Sequence, residues 1–247
     1  MISVCMTTFN GERFLKEQID SILLQLNPHD ELIISDDSSD DNTIEIIKSY
    51  NDSRIRLLEN NHFNSPVFNM ENALKHAGGN IIFLADQDDV WLPGKVQRVT
   101  DSLQDNDLVI TNAIIINDKG ETVHDSYFKW KGSTPGFWKN LKKNSYLGCA
   151  IAFNKKILHA ALPFPEGIIM HDVWIGLLAE RIGKIKFLDE KLMLYRRHND
   201  NFTASINLED NNLSDFSLGH KLNYRRILLD QIVKRVWTLK FLTNREN

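Results

Sequence analysis

Short apolar runs alternate with helix-period segments through the first half of the chain. Ile2–Thr8 reads as a strand, and Phe14–Gln25 as a helix with Phe14, Leu15, Ile19, Ile22 and Leu23 on one stripe. Glu31–Ser35 is a second strand. Asn42–Tyr50 is a second helix, with Asp40 or Asp41 available as its N-cap. Arg54–Glu59, Pro66–His76 and Asn80–Ala85 continue as strand, helix and a fully apolar strand. Pro93–Asn106 is a helix with Pro93 in its first turn. This β-α-β-α order, with strands apolar almost throughout, predicts an α/β fold with a mainly parallel sheet covered by helices on both faces. In such sheets ligands bind beyond the carboxyl ends of the strands.

The second half is less regular. Leu108–Asn117 reads as a strand that turns at Asn117-Asp118-Lys119-Gly120 into another extended piece. Gly148–Asn154 is a strand and Asp172–Arg181 a helix. Lys184–Tyr195 reads as two short strands broken around Asp189-Glu190. Residues 198–215 are rich in Asn, Asp and Ser, the composition of a mobile loop. A last helix spans about Leu218–Leu242.

Composition narrows the class. The chain has 247 residues, 42% apolar and 25% charged, ordinary for a globular protein with one α/β domain. A net charge of −4 argues against a nucleic-acid partner, which requires a basic face. Cys5 and Cys149 sit in separate apolar runs and read as buried thiols of a reducing compartment. The start of the chain lacks a basic n-region, and no apolar run approaches the roughly 20 residues of a membrane span. The expectation is a cytoplasmic protein.

Candidate chemistry sits at the strand ends. Asp36-Asp37-Ser38-Ser39-Asp40-Asp41 follows the second strand; capping needs one short polar side chain, not four carboxylates, and like charges so packed call for a ligand or cation. Asp86-Gln87-Asp88-Asp89 follows the apolar fourth strand and forms a hard-oxygen site suited to Mg2+ or Mn2+ with substrate phosphates. His171-Asp172 opens a helix, where Asp172 is either a plain cap or a general base facing substrate. Tyr195-Arg196-Arg197-His198 is either ordinary surface or a phosphate- and metal-binding strip, since Arg suits diphosphate oxygens and imidazole suits Mn2+.

In order and spacing these pieces resemble the family 2 glycosyltransferases, which have the GT-A fold with its Rossmann-like sheet. The resemblance covers about residues 1–205. It rests on Thr7-Thr8-Phe9-Asn10-Gly11, Asp36-Asp37-Ser38, the D-x-D motif Asp86-Gln87-Asp88-Asp89, Gly148-Cys149-Ala150, His171-Asp172 and Tyr195-Arg196-Arg197-His198. The Asp-Gln-Asp-Asp-Val-Trp form, with His-Asp where Glu-Asp is commoner, is most similar to bacterial polysaccharide and O-antigen enzymes of the rhamnosyltransferase-like group. The family often opens with Pro-Thr-Tyr-Asn. This chain has Thr7-Thr8-Phe9-Asn10, which keeps ring packing and loses a hydroxyl.

The resemblance implies a GT-A domain over residues 1–215, with a nucleotide-binding half to about 110 and an acceptor half after it; the residues themselves suggest a basic amphipathic helix over 216–247. Thr8, Phe9 and Asp36 would hold the nucleotide base and its surroundings, and Asp86 the ribose. Asp88 and His198 would hold the divalent cation. Arg196 would close over the diphosphate, with the segment that follows it acting as a lid. Asp172 would be the catalytic base of a single inverting displacement from a UDP- or dTDP-sugar to a hydroxyl of a glycan acceptor. A non-catalytic sugar- or nucleotide-binding module is the alternative, favoured if Asp172 lies far from the metal site. Aspartyl-phosphate chemistry fits less, because the dehalogenase-like enzymes need Asp-x-Asp after the first strand.

The last helix supports two readings. Its Leu222, Ile227, Leu228, Ile232, Val233, Val236 and Leu239 recur at helical spacing, as in a helix packed on the domain. From Lys221 to Arg245 it also carries seven basic residues against one acid, Asp230, as in a helix resting on an anionic membrane surface beside a lipid-linked acceptor.

Overall fold

Ile2–Thr8 forms the central strand β1, in which every side chain but that of Thr7 is buried. It is flanked on both sides by parallel neighbours, β2 (Glu31–Asp36) and β4 (Ile81–Asp86). β3 (Ile55–Leu58) pairs parallel with β2 at the edge. The computed structural model describes residues 1–198 and 218–243. The expected lid segment beyond His198 therefore lies outside the described residues.

The sheet order is β3-β2-β1-β4-β8-β6-β9-β5. Chain direction explains where the ligand face lies. From β1 the chain moves outward to β2 and β3, through helices α1 (Leu15–Leu23) and α2 (Thr43–Ser49), then returns through α3 (Pro66–Lys75) to β4 on the other side of β1. Right-handed crossovers place α3 on the face opposite α1 and α2. The reversal opens a crevice between the carboxyl ends of β1 and β4.

Beyond β4 the sheet becomes mixed. β8 (Ile151–Asn154) runs antiparallel between β4 and β6 (Leu108–Ile116). β6 pairs parallel with β9 (Ile185–Arg196), and β5 (Val90–Trp91) closes the far edge. The extended piece after the Asn117–Gly120 turn is β7 (Thr122–His124), which pairs with β6. The sequence pattern predicts two strands over 184–195, whereas the structure has one. Its register against β6 slips between Thr111, opposite Leu188, and Asn112, opposite Lys191, so Asp189 and Glu190 bulge out. Asn112 Nδ2 donates to Asp189 Oδ1 at 2.6 Å and anchors the bulge.

The remaining helices are α4 (Lys95–Ser102), α5 (Tyr127–Lys131), α6 (Phe137–Lys142), α7 (Lys155–Ala161), α8 (His171–Ile182) and α9 (Leu218–Thr243). α8 is buried along most of its length around Trp174, whose indole N–H donates to the Ala161 carbonyl at 3.0 Å. α9 docks through Leu228 and Ile232, both buried, with Tyr224, Val236 and Leu239 packed beside them. Full burial of a side chain of that size stabilises by about 1.5–3 kcal/mol. Arg235 fastens the same face by donating to the carbonyls of Ala160, Leu162 and Pro163. The packing reading of this helix therefore holds. Among the described residues no helix is long and apolar enough to cross a membrane.

Candidate active site

Strand register assembles the site. Thr8 stands opposite Asp36 on one side of β1, and Thr7 opposite Asp86 on the other, so both strand-end acids are level with the same turn. That turn is held from beneath: Gln87 Oε1 accepts from the Phe9 amide, and Gln87 Nε2 donates to the Phe9 carbonyl, each at 2.9 Å. The residue between the two acids of the D-x-D motif thus fixes the loop carrying Phe9, whose ring is 57% exposed.

A cavity of about 500 Å³ opens over these strand ends. Thr8, Phe9, Asp86, Asp88, Asp172 and His198 all line it. Asp36 and Arg196 stand behind it. Asp36 is fully buried and accepts from Thr8 Oγ1 at 2.7 Å and from the amide and hydroxyl of Ser39. It reaches the cavity only through its contact with Thr8, while its neighbour Asp37 lines the cavity and accepts from the amides of Phe63 and Ser65.

Arg196 is also buried. Its guanidinium donates from Nε to the Asp88 carbonyl at 2.8 Å and from Nη2 to Glu17 at 2.7 Å, with Phe14 stacked at 4.4 Å. Its backbone amide donates to Asp89 Oδ1 at 3.0 Å. In this arrangement it braces the acidic loop.

Asp88 Oδ2 and His198 Nε2 are 2.8 Å apart at the cavity wall. A carboxylate and an imidazole converging there, with Asp86 beside them, are the donor set that Mn2+ or Mg2+ takes together with phosphate oxygens. Burial first, and then the charges of Asp88 and Asp172, push Asp86 up to about 7. A cation at this place would reverse that shift. Behind the wall, Asp86, Asp89 and Cys149 bring ligand atoms within 4.8 Å of one another. Burial and the two carboxylates push the Cys149 thiol well up, and sulfur is a soft donor that suits Mg2+ or Mn2+ less than carboxylate oxygen does. The cavity-facing pair is the better metal site.

Asp172 is not the helix cap. Met170 occupies that position without a side-chain bond, and Asp172 lies in the first turn of α8, 3% exposed. Its Oδ2 accepts from Asn144 Nδ2 at 3.0 Å, and its Oδ1 from the Val173 amide. Gly148 makes the approach between the two halves of the cavity tight, since a Cβ there would sit 3.2 Å from His171 Nε2 and 3.6 Å from Asp172 Cβ. Gly176 does the same for Tyr146, whose ring would lie 2.5 Å from an added Cβ.

Sequence reasoning missed Asn144, the role of Gln87, and the tyrosines Tyr127 and Tyr146, which line the cavity. Nothing in Lys-Asn-Ser-Tyr marks Asn144, because its partner is 28 positions away. Gln87 was within reach, as a long amide held between two metal-site acids.

The fold and this cavity define a GT-A type protein. S. aureus TarS 1-349, solved in complex with UDP, is similar with a TM-score of 0.63 at 19% identity over 92% of this chain and 70% of that one. The mannosyltransferase PcManGT of Pyrobaculum calidifontis, in complex with GDP-Man and Mn2+, is similar with a TM-score of 0.62 at 17% identity over 83% and 59%. The model of glycosyl transferase family 2 matches residues 3–162, and the chain belongs to that family.

Among its relatives, the Escherichia coli UDP-Glc:alpha-D-GlcNAc-diphosphoundecaprenol beta-1,3-glucosyltransferase WfgD is 28% identical over 67% of this chain and 64% of its own length. The dTDP-rhamnosyl transferase RfbG of Shigella flexneri is 27% identical over 98% and 83%. The chain thus spans a little under two thirds of the former.

Proposed function

We propose that this protein is an inverting, divalent-cation-dependent glycosyltransferase of bacterial cell-surface polysaccharide synthesis. It would transfer a single sugar from a UDP- or dTDP-sugar to a hydroxyl of a glycan acceptor. The observation that carries the reading is one cavity shared by the strand-end acids Asp86 and Asp88 and by Asp172. A binding module has no need of a carboxylate held in place across from a metal site.

In this reading Thr8 and Phe9 hold the nucleoside, with Asp36 fixing the Thr8 hydroxyl, and Asp86 reaches the ribose. Asp88 and His198 hold the cation. When bound, the cation supplies Lewis-acid neutralisation of the charge that develops on the departing diphosphate. Asp172 accepts the acceptor's hydroxyl proton while that oxygen attacks the anomeric carbon. The bond to the diphosphate breaks, and the diphosphate keeps the electron pair. With one base and no second carboxylate acting as nucleophile, the anomeric configuration inverts. Asn144 keeps one Asp172 oxygen oriented while leaving the carboxylate its acceptor role. Arg196 bears on the diphosphate by bracing the acidic loop.

The acceptor class proposed is a glycan carried on a lipid diphosphate, in keeping with the relative's name, and the protein would work at the inner membrane face. α9 supports that placement, for its side away from the domain carries Leu222, Val233, Trp237 and Phe241, all exposed, among Arg226, Lys234 and Lys240. The test is a donor screen. UDP- and dTDP-sugars with Mn2+ should raise the melting temperature, and transfer to a lipid-diphosphate glycan should be lost in Asp172→Asn. No stabilisation by any nucleotide sugar would overturn the reading.

A further inference from the structure

The acceptor half carries a charge pattern that the reaction above leaves unused. Residues 127–143 contain five lysines, Lys129, Lys131, Lys139, Lys142 and Lys143, and no acid. Lys142 ends α6, and Lys143 follows it in extended conformation; both side chains are exposed. Among the described residues neither has an ion-pair partner. Glu180, the acid against which α6 packs, is occupied by the Gly136 amide, Asn140 Nδ2 and the Tyr146 hydroxyl. The next residue along the chain is Asn144, whose amide holds Asp172. Two cationic residues thus immediately precede, along the chain, the residue that orients the proposed base. Arg225 of α9 donates to the Lys142 carbonyl and brings a third cation to the same end. Trp138, 69% exposed, is four residues before Lys142 and shares its helix face.

We propose that Lys142, Lys143 and Arg225 form an anion subsite for the acceptor, taking the diphosphate that joins the acceptor sugar to its lipid. The proposal rests on the glycosyltransferase reading and specifies its acceptor. Two phosphates next to the sugar under attack carry charge that lysine ammonium groups match as point charges. Trp138 offers the first carbons of the chain an apolar surface. The arrangement would select acceptors by their linker and place the hydroxyl over Asp172.

The test uses the full chain and its Lys142→Ala/Lys143→Ala variant, with Lys129→Ala/Lys186→Ala as the control of equal charge. With UDP and Mn2+ present, binding of octyl diphosphate should weaken about tenfold in the first variant and stay unchanged in the control. Transfer is then compared on one glycan presented either as an octyl diphosphate or as a plain octyl glycoside. KM for the diphosphate acceptor should rise about tenfold, with kcat and the glycoside KM unchanged. Equal effects on both acceptors, or unaltered octyl diphosphate binding, overturn the subsite. Loss of binding to phosphatidylglycerol vesicles with octyl diphosphate binding intact overturns it too, assigning the lysines to the bilayer. Should neither acceptor be glycosylated, the function reading fails, while the binding arm still decides the subsite.

Discussion

Asn144 Nδ2 lies 3.0 Å from Oδ2 of Asp172, across the joint between the α6 segment and the start of α8. The bond ties the segment after α6 to the first turn of a buried helix. One carboxylate oxygen is thereby held, and the group faces the cavity in a fixed orientation.

Asp172→Asn preserves shape and removes the ability to take a proton. Donor binding should stay within a few-fold of wild type, while kcat falls by roughly 10²-fold or more. Asn144→Ala removes a bond that orients the carboxylate but leaves its oxygens able to accept a proton, so its kcat should fall less than that of Asp172→Asn. Steady-state kinetics on both variants check the order, and full turnover in Asp172→Asn would send the search for a base elsewhere.

Removal of the cation should abolish transfer. Excess chelator is expected to stop the reaction and Mn2+ to restore it. Asp88→Ala should be inactive at every Mn2+ concentration with its melting temperature close to wild type, because Asp88 sits at a cavity wall. Undiminished activity in chelator removes the metal from the mechanism.

Much of this arrangement could be read from the chain. Apolar runs of strand length ending in acids placed Asp86 and Asp88 at the working edge, since β4 has no other way to satisfy its apolar residues than burial. Two things were illegible for physical reasons. The bulge at Asp189-Glu190 looks like a strand break, because local composition cannot report the pairing with β6 that carries the strand through it. The short helices α5 and α6 have too few residues to show a period, and their positions depend on contacts such as Glu180 with the Gly136 amide. Arg196 illustrates the same limit at the site: its sequence context resembles a diphosphate clamp, and its bonds to Glu17 and the Asp88 carbonyl are long-range.

Arg196→Met separates bracing from direct donor contact. The substitution removes charged bonds to Glu17 and the Asp88 carbonyl, while the backbone amide keeps its bond to Asp89. Stability should fall by about 2 kcal/mol or more, a drop of roughly 4–8 °C in a chain of this size. The drop should be the same whether or not nucleotide is present. An unchanged melting temperature with weakened UDP binding would instead make Arg196 a donor ligand.

Lys95 gives a pH signature. It is 1% exposed, lies 5.0 Å from the Trp91 ring centre, and burial lowers its pKa from 10.5 to about 8. Between those values the unfolded chain holds a proton that the fold does not, so stability rises with pH across that window. Below pH 8 the cost of burying the charge is complete. Lys95→Met lacks the titration, so the stability of wild type relative to the variant should climb between pH 8 and 10.5, by up to about 3 kcal/mol. Denaturant melts at three pH values measure it, and a flat difference would mean that the amine titrates normally.

The outward side of α9 bears on where the proposed transfer takes place. Its inward stripe, Tyr224, Leu228, Ile232, Val236 and Leu239, is consumed by the domain. Trp237 is 72% exposed and Phe241 55%, and both project from the opposite side. Exposed aromatics beside lysines are the residues that settle at a headgroup boundary, with each nearby cation adding about 1 kcal/mol on an anionic leaflet. Binding to vesicles containing phosphatidylglycerol should therefore be present at low salt and lost at high salt. Trp237→Ser/Phe241→Ser should weaken it while leaving transfer to a water-soluble acceptor intact, since the inward stripe and the Arg235 bonds keep α9 docked. Sedimentation decides the matter: equal binding by wild type and variant would confine the role of α9 to packing.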